Sequence, residues 1–356
     1  MKALCYADFH GHLFTDFMEV DEITGNSRFT QQLEAMDFMK NYCLENGIEY
    51  CLFAGDLYHK RRTTDQMVKN KLRDKVKEMG EAGIVTIMIP GNHDQVDNSD
   101  YPDHSLHSFR ELKNVTLLDR FEPLFIQDDE DVFIYPVPYS KNAAMVKDFL
   151  NDYAKRAKAD KSCSHILLGH LGVSGAFVGK GNYPMADAFS VEDLHPDAFD
   201  FGVFGHFHRQ QFLGGHPHFF YCGSPLEHSF SDEGEDRGFV VIDTLDKTVE
   251  RVPIPAPKFI TAKVKSAEDI KTIEHLLKGN FYRIQVDADS VESVLDSLPP
   301  DAKYRIEAHK EYVEERRVDI DATMSMSQIV TNYSNQFNPD ALDIGLEILR
   351  EVEEGL

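Results

Sequence analysis

Seven polar side chains in this 356-residue chain sit where short apolar runs end. Residues 2–7 close on Asp8-Phe9-His10 and residues 50–54 on Gly55-Asp56. Residues 84–89 close on Pro90-Gly91-Asn92-His93-Asp94, residues 165–168 on Gly169-His170, and residues 199–204 on Gly205-His206-Phe207-His208. An apolar run stopped by glycine and polar residues reads as a buried strand that delivers side chains at its carboxyl end, where open α/β sheets place their chemistry. One Asn-His-Asp turn would be no more than a hydrogen-bonded corner; five such clusters make a ligand set. Asp8, His10, Asp56, Asn92, His170, His206 and His208 offer carboxylate, imidazole and amide oxygen, which suits Mn, Fe or Zn better than all-oxygen Ca or thiolate-bound structural Zn. Seven donors exceed what one ion takes. A bridging carboxylate lets them serve two, and Asp56, in the central cluster, is the natural bridge. Paired ions roughly 3.5–4 Å apart clamp the attacking and leaving oxygens of a displacement at phosphorus and acidify water at neutral pH.

Such a set needs a scaffold that gathers five strand ends. The order strand, polar loop, helix repeats along the chain, which predicts βαβ units and a largely parallel sheet covered by helices. Leu33, Met36, Met39 and Cys43 predict a helix over 30–46, a basic helix follows the second strand, and further helices are expected over 104–112 and 143–158, with a strand over 132–137. Residues 219–222 run into Gly223-Ser224-Pro225, and residues 238–242 with 249–252 read as a hairpin closing a second sheet. Pro253, Pro255 and Pro257 mark the end of a domain spanning 1–257. A small α/β domain then occupies 258–309, with strands over 259–264, 281–286 and 304–308 and helices over 267–277 and 290–298. It has no dense His or Asp cluster and reads as accessory. A charged linker, 310–324, precedes a helical tail, 325–356. Ser325-Met326-Ser327-Gln328 has capping-box spacing, and Met326, Ile329, Val330, Tyr333 and Phe337 form one stripe. Leu342, Leu346, Leu349 and Val352 form another beyond Asn338-Pro339. Two short helices bury little on each other, so their apolar faces are expected on a partner rather than on the parent domain.

The formal charge of −24 excludes a protein that grips nucleic acid over its whole surface, because phosphate affinity comes from Lys and Arg displacing counterions. Any such binding must be local, metal-assisted or shared. Residues 60–77 depart from the average, holding Lys60, Arg61, Arg62, Lys69, Lys71, Arg73, Lys75 and Lys77 against Asp65 and Asp74. They form either a solvated helix face or a phosphate contact. The five cysteines are odd in number and scattered, as expected of small buried hydrophobes in a reducing compartment. No run approaches the ~18 apolar residues of a membrane span, and the chain enters a strand directly rather than a signal peptide. A cytoplasmic protein is expected.

The blocks Asp8-x-His10, Gly55-Asp56, Gly91-Asn92-His93-Asp94, Gly169-His170 and Gly205-His206-x-His208 resemble, in type and order, those of the calcineurin-like metallophosphoesterase superfamily. The resemblance covers about residues 1–230. It implies a two-sheet α/β sandwich flanked by helices, with Asp8, His10, Asp56 and His208 on one metal ion and Asp56, Asn92, His170 and His206 on a second. His93 would protonate the leaving oxygen and Asp94 would orient it. Gly55-Asp56-Leu57-Tyr58-His59-Lys60-Arg61 lacks the Gly-Asp-x-x-Asp-Arg-Gly of protein phosphatases and, with His59, is similar to the SbcD-type nucleases of double-strand-break repair in bacteria and phages. His59, Lys60 and Arg61 are candidate substrate contacts. So read, the chain is a manganese-dependent nuclease, with magnesium the alternative ion, 3′ to 5′ exonuclease on duplex DNA and endonuclease on single strands. The tail, 325–356, would bind the coiled-coil base of an SbcC-like ABC-type ATPase, and a homodimer is implied, with 61–80 and 103–113 as candidate faces. Two rivals remain: a phosphodiesterase or phosphatase for nucleotides and other small phosphate esters, which suits the acidic surface but gives residues beyond 258 no role, and a non-enzymatic platform, which would be expected to have lost ligands.

Overall fold

A computed structural model describes residues 1–127, 130–177, 188–234, 237–277, 279–309 and 324–354. The elements follow in the order β1 (Lys2–Tyr6), α1 (Ser27–Glu45), β2 (Tyr50–Phe53), α2 (Gln66–Glu81), β3 (Val85–Met88), β4 (Val115–Leu117), β5 (Leu124–Ile126), β6 (Val132–Val137), α3 (Ala143–Ala159), β7 (Ser164–His170), β8 (Phe201–Gly205), β9 (Gln211–Leu213), β10 (His216–Tyr221), β11 (Gly238–Asp243) and β12 (Thr248–Pro253). They make two six-stranded sheets, β12-β11-β1-β2-β3-β4 and β5-β6-β7-β8-β10-β9.

Alternation along the strands explains the layering. Ala3, Cys5, Leu52 and Ile87 on the first sheet meet Ile134, Ile166, Leu168, Val203 and Phe220 on the second in one buried cluster. Leu4, Tyr6, Phe53 and Met88 point the other way, onto Phe29, Leu33, Met36 and Met39 of α1 and Val68, Leu72 and Val76 of α2. Tyr135, Val137 and Leu167 take α3 through Val146, Leu150 and Tyr153. Strands buried on both faces lose the polar alternation of a half-exposed sheet and read as continuous apolar runs, as these do. The result is the expected two-sheet α/β sandwich flanked by helices. β1 to β4 are parallel to one another, as are β6, β7, β8 and β10.

The hairpin expected to close the second sheet instead extends the first. β11 pairs antiparallel with β1, Ala3 opposite Ile242, because Val240 and Ile242 continue the inter-sheet cluster and cover an edge of β1 that would otherwise be open. α1 starts earlier than its apolar spacing implies, since the Asn26 side chain accepts the Phe29 amide at 3.0 Å and caps it. The helix expected over 104–112 is a short 3₁₀ turn, His107–Glu111, with buried Phe109 as its anchor.

β13 (Phe259–Val264), α4 (Ala267–Leu277), β14 (Phe281–Asp287), α5 (Val291–Leu295) and β15 (Lys303–His309) follow, the strands in the order β13-β14-β15 over their own apolar cluster. Phe259 and Phe281 join Phe230 and Phe17, and the Arg28 guanidinium lies 4.9 Å and 4.6 Å from their ring centres. The same guanidinium donates to the backbone carbonyls of Asp16, Glu227 and His228. The charged linker over 310–324 lies, residue 324 apart, outside the described residues.

By compactness the chain divides at residue 307. In the second unit, α6 (Met326–Phe337) and α7 (Leu342–Glu354) form a helical pair. Ser325 and Gln328 make the reciprocal capping box. A Cβ on Gly345 would stand 3.0 Å from Val330, so the helices touch there. Tyr333, Phe337, Ile344 and Ile348 remain exposed. No helix among the described residues is long and apolar enough to cross a membrane.

Candidate metal centre

The ends of β1, β2, β3, β7 and β8 converge at one rim of the sandwich. Among the described residues, four of the eight non-glycine residues with positive φ are there: Asp8 (50°), His10 (48°), Asp56 (63°) and His206 (112°). Non-glycine residues in that region cost roughly 1–3 kcal/mol each, so the surrounding packing enforces these turns. The glycines in the motifs have a steric reason. A Cβ on Gly91 would lie 2.3 Å from Asp56 Oδ1 and 2.7 Å from His170 Cε1, and one on Gly55 would lie 2.5 Å from His170 Nδ1. Only glycine lets these backbones approach the donors so closely.

All seven candidate ligands meet. His10 Nε2 is 3.0 Å from His208 Nε2 and 3.8 Å from Asp56 Oδ2, which is 3.5 Å from His170 Nε2. Asn92 Oδ1 is 3.0 Å from both His170 Nε2 and His206 Nδ1. Asp8 accepts the His206 amide on both oxygens, at 3.0 Å and 3.1 Å. Asp8, His10, Asp56 and His170 are buried, and His10 Nδ1 has no hydrogen-bond partner. Imidazole nitrogens that face one another beside buried carboxylates, together with an amide oxygen shared by two rings, are a donor set that fits a pair of divalent ions. His170 Nδ1–H donates to the Ala54 carbonyl at 2.7 Å, which turns the lone pair of Nε2 into the site.

Burial pushes Asp8 up to about 6, against the pull of His170 and His208. Burial also acts to raise Asp56, but the imidazoles of His170, His10 and His93 outweigh it and hold this carboxyl well below its ordinary range. His170 is raised to about 9, Asp56 and Asp8 overcoming the cost of burial. The central carboxylate is therefore the one most firmly ionised.

His93 stands beside this cluster. Its amide donates to Asp56 Oδ1 at 2.7 Å and its Nδ1–H to the His59 carbonyl at 2.6 Å. One ring nitrogen also comes within 4.8 Å of donor atoms of His10 and Asp56. Asp94 does something other than orient His93. Fully buried, its oxygens accept the amides of Asp56 (2.8 Å), Gly91 (3.0 Å), Leu57 (3.0 Å) and Tyr58 (3.3 Å), so it ties the β2 turn to the β3 turn, and the His59 carbonyl holds the imidazole. The His59 ring stacks on His12 with centres 5.0 Å apart. Lys60 is exposed, and Arg61 donates to Asn98 at 3.0 Å. Along α2, Lys75 pairs with Asp37 at 2.8 Å and Lys77 with Glu81 at 3.6 Å, so these two lysines already have carboxylate partners.

Sequence reasoning missed three contributors. Asp232 Oδ1 is 3.5 Å from His208 Nδ1, a carboxylate behind a candidate ligand. His228, lowered to about 3 by burial, sits 5.7 Å from His10 ring to ring, with its Nε2 3.1 Å from Ser224 Oγ. Tyr139 lies 5.9 Å from the His206 ring. The only advance signals were the Gly223-Ser224-Pro225 block and the Ser229-x-x-Asp232 capping spacing, which the structure realises as a capping box. Asp232→Asn is expected to weaken manganese binding about 10- to 100-fold with the fold intact, because such partners set the orientation and basicity of a ligand. Titration calorimetry checks this, and wild-type affinity would leave Asp232 a loop anchor alone.

Sandwich and donor set define a two-metal phosphoesterase. The chain belongs to the calcineurin-like phosphoesterase family, whose profile matches residues 1–210. It is 24% identical over 226 residues to exonuclease subunit 1 of Enterobacteria phage T4, across 62% of this chain and 61% of that protein. The chain thus matches about three-fifths of the length of this curated relative. Among solved structures, a dimetal phosphatase from Danio rerio aligns with TM-score 0.40 and 9% identity over 68% of this chain and 91% of the other. The nuclease MPE of Pseudomonas putida aligns with TM-score 0.25 and 16% identity over 51% and 66%.

Proposed function

We propose that the chain is a manganese-dependent DNA nuclease, exonucleolytic 3′ to 5′ on duplex ends and endonucleolytic on single strands, acting with an SbcC-like ATPase. The observation that carries it is the gathering of the seven donors into one cluster, with Asp56 between His10 and His170, in a phosphoesterase fold whose relatives include a phage exonuclease subunit. Asp8, His10, Asp56 and His208 would hold one ion, and Asp56, Asn92, His170 and His206 the other. When bound, the pair supplies charge neutralisation at phosphorus and an acidified water. The chain's own residues do the rest. His93, fixed through Nδ1, would in its imidazolium form present Nε2–H to the leaving oxygen, give up that proton and be left as the neutral Nδ1–H imidazole. Asp94 keeps the two turns in register, and Lys60, exposed beside His59, meets phosphate. In this reading 1–257 is the nuclease domain and 258–309 an accessory DNA-binding domain. Tyr333, Phe337, Ile344 and Ile348 of the tail are the face that meets the ATPase. Four buried, unpaired cysteines fit a reducing cytoplasm, and a homodimer belongs to the same reading.

The test is digestion of end-labelled duplex and single-stranded DNA with manganese or magnesium, by the full chain and by residues 1–309. Cleavage by both proteins, stronger with manganese, is expected. Hydrolysis of bis(p-nitrophenyl) phosphate without cleavage of any DNA would instead select a small-ester phosphodiesterase, the reading that the charge of −24 favours. Loss of cleavage on truncation would make the tail part of the nuclease.

A further inference from the structure

The segment between β10 and β11 has two sides, and each belongs to a different part of the molecule. Its described residues form no helix or strand beyond a 3₁₀ turn, Phe230–Asp232, so side-chain contacts hold it in place. Every third residue meets the accessory domain. A Glu227 carboxylate oxygen accepts the Phe259 amide at 2.5 Å, the Phe230 ring stands edge-on to Phe259 with centres 5.0 Å apart, and Glu233 accepts the amide and the hydroxyl of Thr261 at 2.7 Å and 2.6 Å. His228 and Asp232, lying between those three, meet the metal centre instead. The His228 ring is 5.7 Å from that of His10 and 6.0 Å from that of His208. Its amide donates to Asp232 Oδ2 at 3.0 Å, and the other oxygen of Asp232 is the one 3.5 Å from His208 Nδ1.

Arg28 of α1 joins the two sides. Only 4% exposed, its guanidinium lies against Phe259 and Phe281 of the accessory domain and 5.7 Å from Phe14, which stacks on the His228 ring with centres 5.2 Å apart. A cation buried this deeply is retained where rings and carbonyls replace its water. Nη2 donates to the Glu227 carbonyl at 3.4 Å and to the His228 carbonyl at 3.3 Å. The Glu227 carbonyl and the His228 amide belong to one planar peptide unit, so holding the first fixes the direction of the second.

We propose that Arg28 is a positioning residue for His208, acting through this peptide unit and Asp232, and that docking of the 258–309 domain thereby sets how tightly the centre holds the ion on His208. This rests on the two-metal manganese reading and deepens it. The carboxylate at Nδ1 fixes which nitrogen of His208 carries the proton and leaves the lone pair of Nε2 facing His10 Nε2, 3.0 Å away. If the 227–228 peptide turns, Asp232 loses the His228 N–H and its hold on Nδ1 loosens. The Ser229 amide at 3.3 Å and Arg237 at 3.5 Å still hold Asp232, so loss of Arg28 weakens the arrangement without abolishing it. The sign separates this role from a field effect. Removing a buried positive charge near a cation site tightens metal binding by Coulomb's law, whereas losing a positioning contact loosens it.

The experiment uses the full chain, with manganese binding read by titration calorimetry and the fold by circular dichroism. R28M is expected to weaken one of the two ions about tenfold and to leave the other within about twofold of wild type. E227M, which leaves the Phe259 amide without its acceptor, should do the same, and E227Q, which keeps an acceptor there, should bind manganese as the wild type does. Because Arg28 acts through Asp232, R28M in a D232N background should weaken binding by no more than about a further twofold. Where R28M fails to fold, F281L, which takes a ring from beside the guanidinium and leaves the position apolar, replaces it in the same cycle. Wild-type or tighter binding by R28M, or losses that multiply with those of D232N, would overturn the coupling and leave the two-metal reading standing. A wild-type protein that takes up fewer than two manganese ions would overturn that reading itself.

Discussion

Asp56→Asn is expected to abolish phosphodiester hydrolysis and to reduce manganese uptake to at most one ion per chain. Oδ2 of this residue stands between the two halves of the donor set, 3.8 Å from His10 Nε2 and 3.5 Å from His170 Nε2. Oδ1 accepts the His93 amide at 2.7 Å. An amide cannot serve both. With its nitrogen at Oδ2 it turns a donor toward the cation positions; with its nitrogen at Oδ1 it opposes the His93 N–H, donor against donor. Either way one negative charge disappears from the carboxyl that the neighbouring imidazoles keep most firmly ionised. Lewis-acid stabilisation of a phosphoryl transfer is worth several kcal/mol, so the rate should fall by about three powers of ten or more. Metal analysis by mass spectrometry and turnover of bis(p-nitrophenyl) phosphate measure the two effects. Two ions per chain with activity within about tenfold of wild type would remove Asp56 from the bridging position.

Much of this centre was legible in the sequence because its design is local. Each cluster of donors follows an apolar strand, and at Gly55, Gly91 and Gly205 a Cβ would stand within 3 Å of a donor atom, so those positions demand glycine. Residue type and position therefore carry the information together. Other contributors are positioned by contacts that cross the chain. Asp232 reaches His208 from 24 residues away, and nothing in its own neighbourhood says that its carboxyl turns inward. The pairing of β11 with β1 joins residues some 240 positions apart, and a hairpin gives no hint of which sheet it will join. Asp94 could be read as the orienting partner of its neighbour His93 only while the β2 turn was out of sight; once that turn is in place, four amides take both of its oxygens. The basic run after His59 is ambiguous in sequence for a related reason. Lys75 has a partner, Asp37, that α1 brings from another part of the chain.

His93→Ala is the change that separates a proton donor from a ligand. The Nδ1–H bond to the His59 carbonyl leaves Nε2 as the atom that exchanges a proton with substrate. General acid catalysis matters in proportion to how poor the leaving group is, and contributes about 10²- to 10⁴-fold where the group must be protonated. A DNA strand leaves as an alkoxide and should lose that full factor in the variant. Nitrophenolate departs without help, so bis(p-nitrophenyl) phosphate should be hydrolysed at a rate within about tenfold of wild type, with two manganese ions still bound. The proximity of His93 to His10 and Asp56 makes the contrary outcome concrete. If His93 ligates an ion, both substrates slow together and metal content falls. Equal losses on the two substrates would therefore exclude the proton-donor role, and a loss confined to DNA would exclude ligation, because an absent ligand cannot distinguish one leaving group from another.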